Sequence, residues 1–131
     1  MSPARLTAWL AVVFGLIGLG FLLHGIDPDK LLSPFLLGWA LWLLSPYALL
    51  AATARYGRLP VVIKGSLVLM ILAGLWGSLM YAELTFHFTT KADAQDAIAM
   101  VFIPALQHMA AIPLVALLFG LGAAFARRKQ P

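Results

Sequence analysis

The feature that most constrains this chain is a series of four long apolar runs, at about residues 6–24, 34–54, 61–82 and 98–126. A helix needs about 20 mostly apolar residues to cross a hydrocarbon core about 30 Å thick, and each run is long enough. The 131-residue chain is 63% hydrophobic and 11% charged, with a mean hydropathy of +0.96. Soluble domains are about 45–50% apolar and about 25% charged. The sequence therefore predicts an all-α integral membrane protein with four transmembrane helices in a single domain, residues 1–131.

The first apolar run has a second interpretation, a cleaved signal peptide, because Arg5 precedes it. However, the run is longer than the 7–15 apolar residues typical of a signal core. The segment that follows it, Leu22–Asp27, also contains no Ala-x-Ala-like cleavage site. We therefore expect a retained transmembrane helix.

The connections between the runs are short, at residues 25–33, 55–60 and 83–97. Short connections join neighbouring helices that run in opposite directions. The pattern thus predicts an antiparallel up-down bundle and leaves no room for a second domain.

The distribution of Lys and Arg predicts the orientation, because these residues are retained in cytoplasmic loops. If both termini are cytoplasmic, seven of the nine basic residues lie on that side: Arg5, Arg55, Arg58, Lys64, Arg127, Arg128 and Lys129. The five acids then all lie outside: Asp27, Asp29, Glu83, Asp93 and Asp96. We expect this orientation in an inner membrane of the bacterial type.

Small residues recur at helical spacing in three of the runs. Lipid tails are as apolar as Leu, so membrane helices associate through close packing across small residues. The stripes are Ala8, Ala11, Gly15 and Gly18 in the first run, Ser66, Gly74, Ser78 and Ala82 in the third, and Ala116, Gly120 and Ala124 in the fourth. We expect them to form the seams of the bundle, with a docking face for another subunit as the alternative.

Gln107 and His108, between Pro104 and Pro113, are the candidate polar site inside the membrane. Ionisable residues within a membrane are costly and are default functional candidates. One interpretation is hydrogen bonding between helices or to backbone groups that a proline leaves unpaired. The other is a site for a proton, an ion or a ligand.

A second candidate site lies on the predicted outer face, where Glu83, His87 and His24 are possible ligands of a divalent metal ion. Glu83 and His87 would share one helix face if the third helix continued that far. Glu83 is also an anion at a helix carboxyl end, which the helix dipole disfavours. We expect His87, Lys91 or a bound cation to compensate it, and whether a metal binds is left open.

Several functional classes are excluded by missing residues. The chain has no cysteine, so thiolate metal sites, iron–sulfur clusters and thiol redox chemistry are excluded, including that of four-helix thiol oxidoreductases. The basic residues are too scattered for a nucleic-acid footprint. In size and number of spans the chain is similar to the small multidrug-resistance transporters. Those proteins work through a glutamate in the first helix, and this first helix contains no acid.

These observations predict a small non-enzymatic membrane protein without a cofactor, acting as an accessory or scaffold subunit of a membrane complex. Its expected partners are the lipid bilayer and either another membrane protein or further copies of itself, bound through the small-residue faces. The alternative is a small oligomeric transporter or channel that uses Gln107 and His108. A third possibility is a haem-binding electron carrier, in which His108 and another histidine are the axial ligands.

Overall fold

The computed structural model describes residues 1–24, 26–89, 91 and 95–128. In this part of the chain there are four α-helices: α1 (Pro3–Leu23), α2 (Pro34–Tyr56), α3 (Pro60–Phe86) and α4 (Asp96–Arg128). A 3₁₀ turn, Pro28–Lys30, lies between α1 and α2. All four helices are long and apolar enough to cross a membrane. The prediction of an all-helical chain with four such helices is therefore confirmed.

The first three helices begin with a proline, whose fixed φ and missing N–H suit the first helical position. Before α1 and α2, the hydroxyls of Ser2 and Ser33 accept hydrogen bonds from backbone N–H groups of the first turn. Helix α3 continues to Phe86, one turn beyond the predicted residue 82, and so includes Glu83.

Helices α2 and α3 form the centre of the structure, since each packs against the other and against both α1 and α4. The ring of Phe14 in α1 stacks on that of Tyr47 in α2, with centroids 6.3 Å apart. A Cβ atom on Gly74 of α3 would lie 2.1 Å from the Phe14 ring, so glycine is required for this close approach. Three helices therefore meet at a contact that depends on one missing side chain.

The small-residue stripes have two different environments. In α1, the Cα atoms of Gly15 and Gly18 face the side chains of Leu44 and Leu43, and in α3 both Ser66 and Gly74 are buried. These stripes lie in seams, as expected, apart from the exposed Ala8. In α4 the expectation was wrong: Ala116, Gly120 and Ala124 are exposed, and a Cβ on Gly120 would meet nothing within 4 Å. The inward face of α4 instead presents Gly122, which lies against Leu59.

The contacts define two ends of the structure. At one end, the start of α1 and the end of α2 share a groove, and Gly122 of α4 meets the connection before α3. We call this the basic end, because its described charged residues are Arg5, Arg55, Arg58, Lys64 and Arg127. At the other, the acidic end, the His24 ring contacts Phe86 and the His87 ring lies near Asp96. Asp93 and Lys129, two further charged residues on which the predicted orientation depends, lie outside the described residues.

Candidate functional site

Gln107 of α4 points into the interior and is only 3% exposed. Its Nε2 donates a hydrogen bond to the Ala73 carbonyl of α3, at 2.9 Å, and another to the Tyr47 hydroxyl of α2, at 3.1 Å. A Cβ on Gly77 would lie 2.4 Å from Nε2 and 2.9 Å from the Tyr47 oxygen. One amide group thus connects three helices, and Gly77 provides the space for it.

Three buried polar atoms in this part of the interior have no hydrogen-bond partner among the described residues: Gln107 Oε1, Tyr81 Oη and Ser78 Oγ. Leaving such a group unsatisfied costs about 1–3 kcal/mol, and each case requires an explanation. Gln107 also borders a cavity of about 380 Å³ between α3 and α4, whose wall is otherwise formed by apolar side chains such as Leu72, Trp76 and Leu114. A cavity of this composition suits an apolar chain better than an ion.

His108, the next residue, has protein contacts at both ring nitrogens. Its Nδ1 lies 2.8 Å from the Pro104 carbonyl oxygen, and its Nε2 lies 3.4 Å from the Ser45 hydroxyl. The ring is parallel to that of Trp42, with centroids 5.2 Å apart and an interplanar angle of 2°. An axial haem ligand needs a ring nitrogen that is free to bind iron, and here both nitrogens face protein oxygens.

A proline lies close to this contact in each of the two helices. Pro46 has no N–H, so the Trp42 carbonyl one turn earlier loses its helical partner, and the Ser45 hydroxyl donates to that carbonyl at 2.6 Å. Trp42 Nε1 also donates a hydrogen bond to the Val101 carbonyl of α4, at 3.0 Å. This carbonyl lies one residue after Met100, whose carbonyl loses its helical partner to Pro104. Helices α2 and α4 therefore contact each other where both backbone ladders are broken.

The hydrogen atoms in this contact cannot satisfy every group at once when His108 is neutral. Nδ1 must carry a hydrogen to donate to the Pro104 carbonyl, so Nε2 of a neutral ring can only accept. The Ser45 hydrogen would then be needed by both the Trp42 carbonyl and His108 Nε2. His108 Nε2 and the Trp42 carbonyl therefore compete for the same Ser45 hydrogen.

At the acidic end, Glu83 accepts hydrogen bonds from a residue that the sequence did not suggest. Its Oε1 accepts hydrogen bonds from the Thr89 backbone N–H, at 2.9 Å, and from the Thr89 hydroxyl, at 2.8 Å. Helix α3 ends at Phe86, and His87 follows in the left-handed conformation, with φ 52° and ψ 51°. Because the helix stops before His87, Glu83 and His87 do not share one helix face.

The histidines of this end make separate contacts. His87 Nε2 lies 3.7 Å from Asp96 Oδ2, which connects the end of α3 to the start of α4. The His24 ring meets the edge of Phe86, with centroids 5.7 Å apart. Among the described residues, no three His, Asp or Glu side chains come together as a metal site. The left-handed backbone at His87 is unusual for a residue other than glycine.

Sequence reasoning named Gln107 and His108 but missed Tyr47, Gly77 and Trp42 as their neighbours. The Ser45–Trp42 contact had a local signal, because a proline always frees the carbonyl four residues before it. The partners of Gln107 had none, since they lie 34 and 60 residues away in sequence. Comparison with protein-family models, curated proteins and solved structures found no match to this chain.

Proposed function

We propose that the chain is an integral protein of a bacterial inner membrane, with four transmembrane helices in an antiparallel up-down bundle and both termini cytoplasmic. The contacts between helices support the alternating directions. Phe14 of α1 meets Tyr47 of α2, and Gly18 of α1 meets Leu43 of α2. Residue numbers thus increase along α1 as they decrease along α2, so these two helices are antiparallel. The basic end carries the excess of Lys and Arg that is typical of a cytoplasmic face.

Reporter fusions test this topology. A fusion after residue 131 should give a cytoplasmic signal, and a fusion within residues 92–95 should give an external signal. The same signal from both sites would contradict the proposed orientation and the separation of basic and acidic ends.

Within the membrane, we propose that the protein is a non-enzymatic accessory or scaffold subunit that binds another transmembrane helix through the outward face of α4. The observation that carries this proposal is the low burial of α4. In its most apolar stretch of 18 residues, 11% is buried inside the structure, against 28% in the corresponding stretch of each other helix. Its exposed face presents Ala116, Gly120 and Ala124 at four-residue spacing. Small residues at this spacing allow helix backbones to approach closely in a membrane.

Site-specific photo-crosslinking in cells tests the accessory role. A photoreactive residue at position 120 should give one defined crosslink to a different membrane protein, identified by mass spectrometry. Position 20 is the matched control, because a Cβ there also meets nothing within 4 Å but lies in α1. The proposal would be contradicted if position 120 gave no crosslink, or if it gave the same crosslinks as position 20. A crosslink to a second copy of the chain would favour a homo-oligomer instead.

A small transporter or channel is the second candidate function. The observation in its favour is the position of His108, an ionisable ring in a helix long and apolar enough to span a membrane, within hydrogen-bond distance of Ser45 and the Pro104 carbonyl. If His108 carries a proton or ion through the membrane, His108→Ala should abolish flux into proteoliposomes without reducing expression. A variant that retains flux would remove this candidate.

A further inference from the structure

A groove at the basic end places two arginines from distant parts of the sequence together. Arg5, in the first turn of α1, and Arg55, in the last turn of α2, both line a groove of about 330 Å³. Tyr56 lies beside them, and the remaining wall consists of alanines such as Ala8 and Ala51. We call this the Arg5–Arg55 groove.

The positive charge of this groove is not balanced by the described part of the chain. Among the described residues, ion pairs join Lys30 to Asp27 and His87 to Asp96, and both pairs lie at the acidic end. Two guanidinium groups that face one groove without a carboxylate repel each other. An anion bound between them would remove this repulsion, and guanidinium groups are well suited to phosphate because they donate paired N–H groups.

The groove also continues onto an apolar surface. A neighbouring groove of about 430 Å³ shares Arg5 and Ala8 with it and extends along α1 past Trp9 to Val12. Trp9 is 63% exposed, and exposed tryptophans near a helix end are typical of the level of the lipid headgroups. The combined surface is therefore cationic at the helix end and apolar towards the middle of α1, which matches a ligand with an anionic head and a hydrocarbon chain.

We propose that the Arg5–Arg55 groove binds one anionic phospholipid, with its phosphate between the two guanidinium groups and an acyl chain along Trp9 and Val12. Basic grooves between transmembrane helices on the cytoplasmic side are the sites where anionic headgroups bind. The inference rests on the proposed membrane insertion, but it does not depend on the accessory role of α4.

Native mass spectrometry of the full-length protein in detergent tests the site, with phosphatidylglycerol and phosphatidylcholine as the added lipids. The wild type should retain one phosphatidylglycerol and show no comparable retention of phosphatidylcholine. Arg5→Gln and Arg55→Gln should each weaken this retention about tenfold, since each removes one of the two charged donors to the phosphate. Inorganic phosphate at the same concentration should not displace the lipid.

Arg58→Gln and Lys64→Gln are the matched controls. Each removes one positive charge from the basic end, but neither residue lines the groove, so lipid retention should stay within about twofold of the wild type. Equal losses in all four variants would overturn the site in favour of diffuse attraction. Displacement by inorganic phosphate, or equal retention of both lipids, would overturn it as well. Gly120→Leu should not change lipid retention, so failure of the accessory role and failure of this site are distinguishable.

Discussion

The Gly77→Ala substitution gives a direct test of the interior polar contact. The new Cβ would lie 2.4 Å from Gln107 Nε2, whereas ordinary contacts of this kind are 3.4–4 Å. The amide, at the end of a flexible side chain, must therefore shift by about 1 Å, and we expect this shift to weaken its hydrogen bonds to the Ala73 carbonyl and Tyr47, at 2.9 and 3.1 Å. Gln107 is 3% exposed, so water does not replace the lost partners.

The expected loss in free energy of unfolding follows from three contributions. Two interhelical hydrogen bonds contribute about 0.6 kcal/mol each in a membrane, and inserting a methyl group into the close contact at Gly77 costs about 1–3 kcal/mol. Alanine regains up to about 1 kcal/mol because it favours helix more than glycine does. We therefore expect Gly77→Ala to destabilise the protein by about 1–4 kcal/mol.

Unfolding by SDS in mixed micelles measures this change. Gly20→Ala and Gly38→Ala are matched controls, because a Cβ at either position meets nothing within 4 Å, and both should be neutral or slightly stabilising. In a Gln107→Ala background, the cost of Gly77→Ala should fall by at least half, since the nearest atom is gone. Equal stability of Gly77→Ala and the controls, or additive effects of the two substitutions, would refute the reasoning.

Substitutions at three further positions test other contacts. Gly74→Ala would place a Cβ 2.1 Å from the Phe14 ring and should destabilise the protein by about 1–3 kcal/mol in the same SDS assay. An unchanged free energy of unfolding would mean that this ring does not fill the seam between the helices. Trp42→Phe keeps an aromatic ring for stacking but loses the N–H that bonds to α4, so unfolding should become easier by about 0.6 kcal/mol, and a larger stability than wild type would contradict this contact. Glu83→Ala should lower the midpoint of thermal unfolding because Thr89 loses its acceptor. Glu83→Gln keeps one carbonyl oxygen, so its midpoint should lie between those of the wild type and Glu83→Ala. An unchanged midpoint in both variants would show that Thr89 is held by other groups.

Part of the candidate site follows from local rules of sequence. Pro46 directly after Ser45 implies a freed carbonyl at Trp42 and a hydroxyl near enough to pair with it. The importance of Gln107 and His108 also follows from sequence, because polar groups are rare in apolar runs. Their partners do not, since lipid and protein interior are equally apolar and hydropathy does not indicate which face of a helix is buried.

The sequence by itself determined the four helices and the segregation of charge. Long apolar runs, with Pro3, Pro34 and Pro60 at the helix starts, define the elements because each signal is carried by a few consecutive residues. The tertiary structure alone decided that the α4 stripe around Gly120 faces outward and that Arg5 and Arg55 share a groove. Both results depend on how the helices are rotated and paired, and that is set by side-chain packing between residues far apart in the chain.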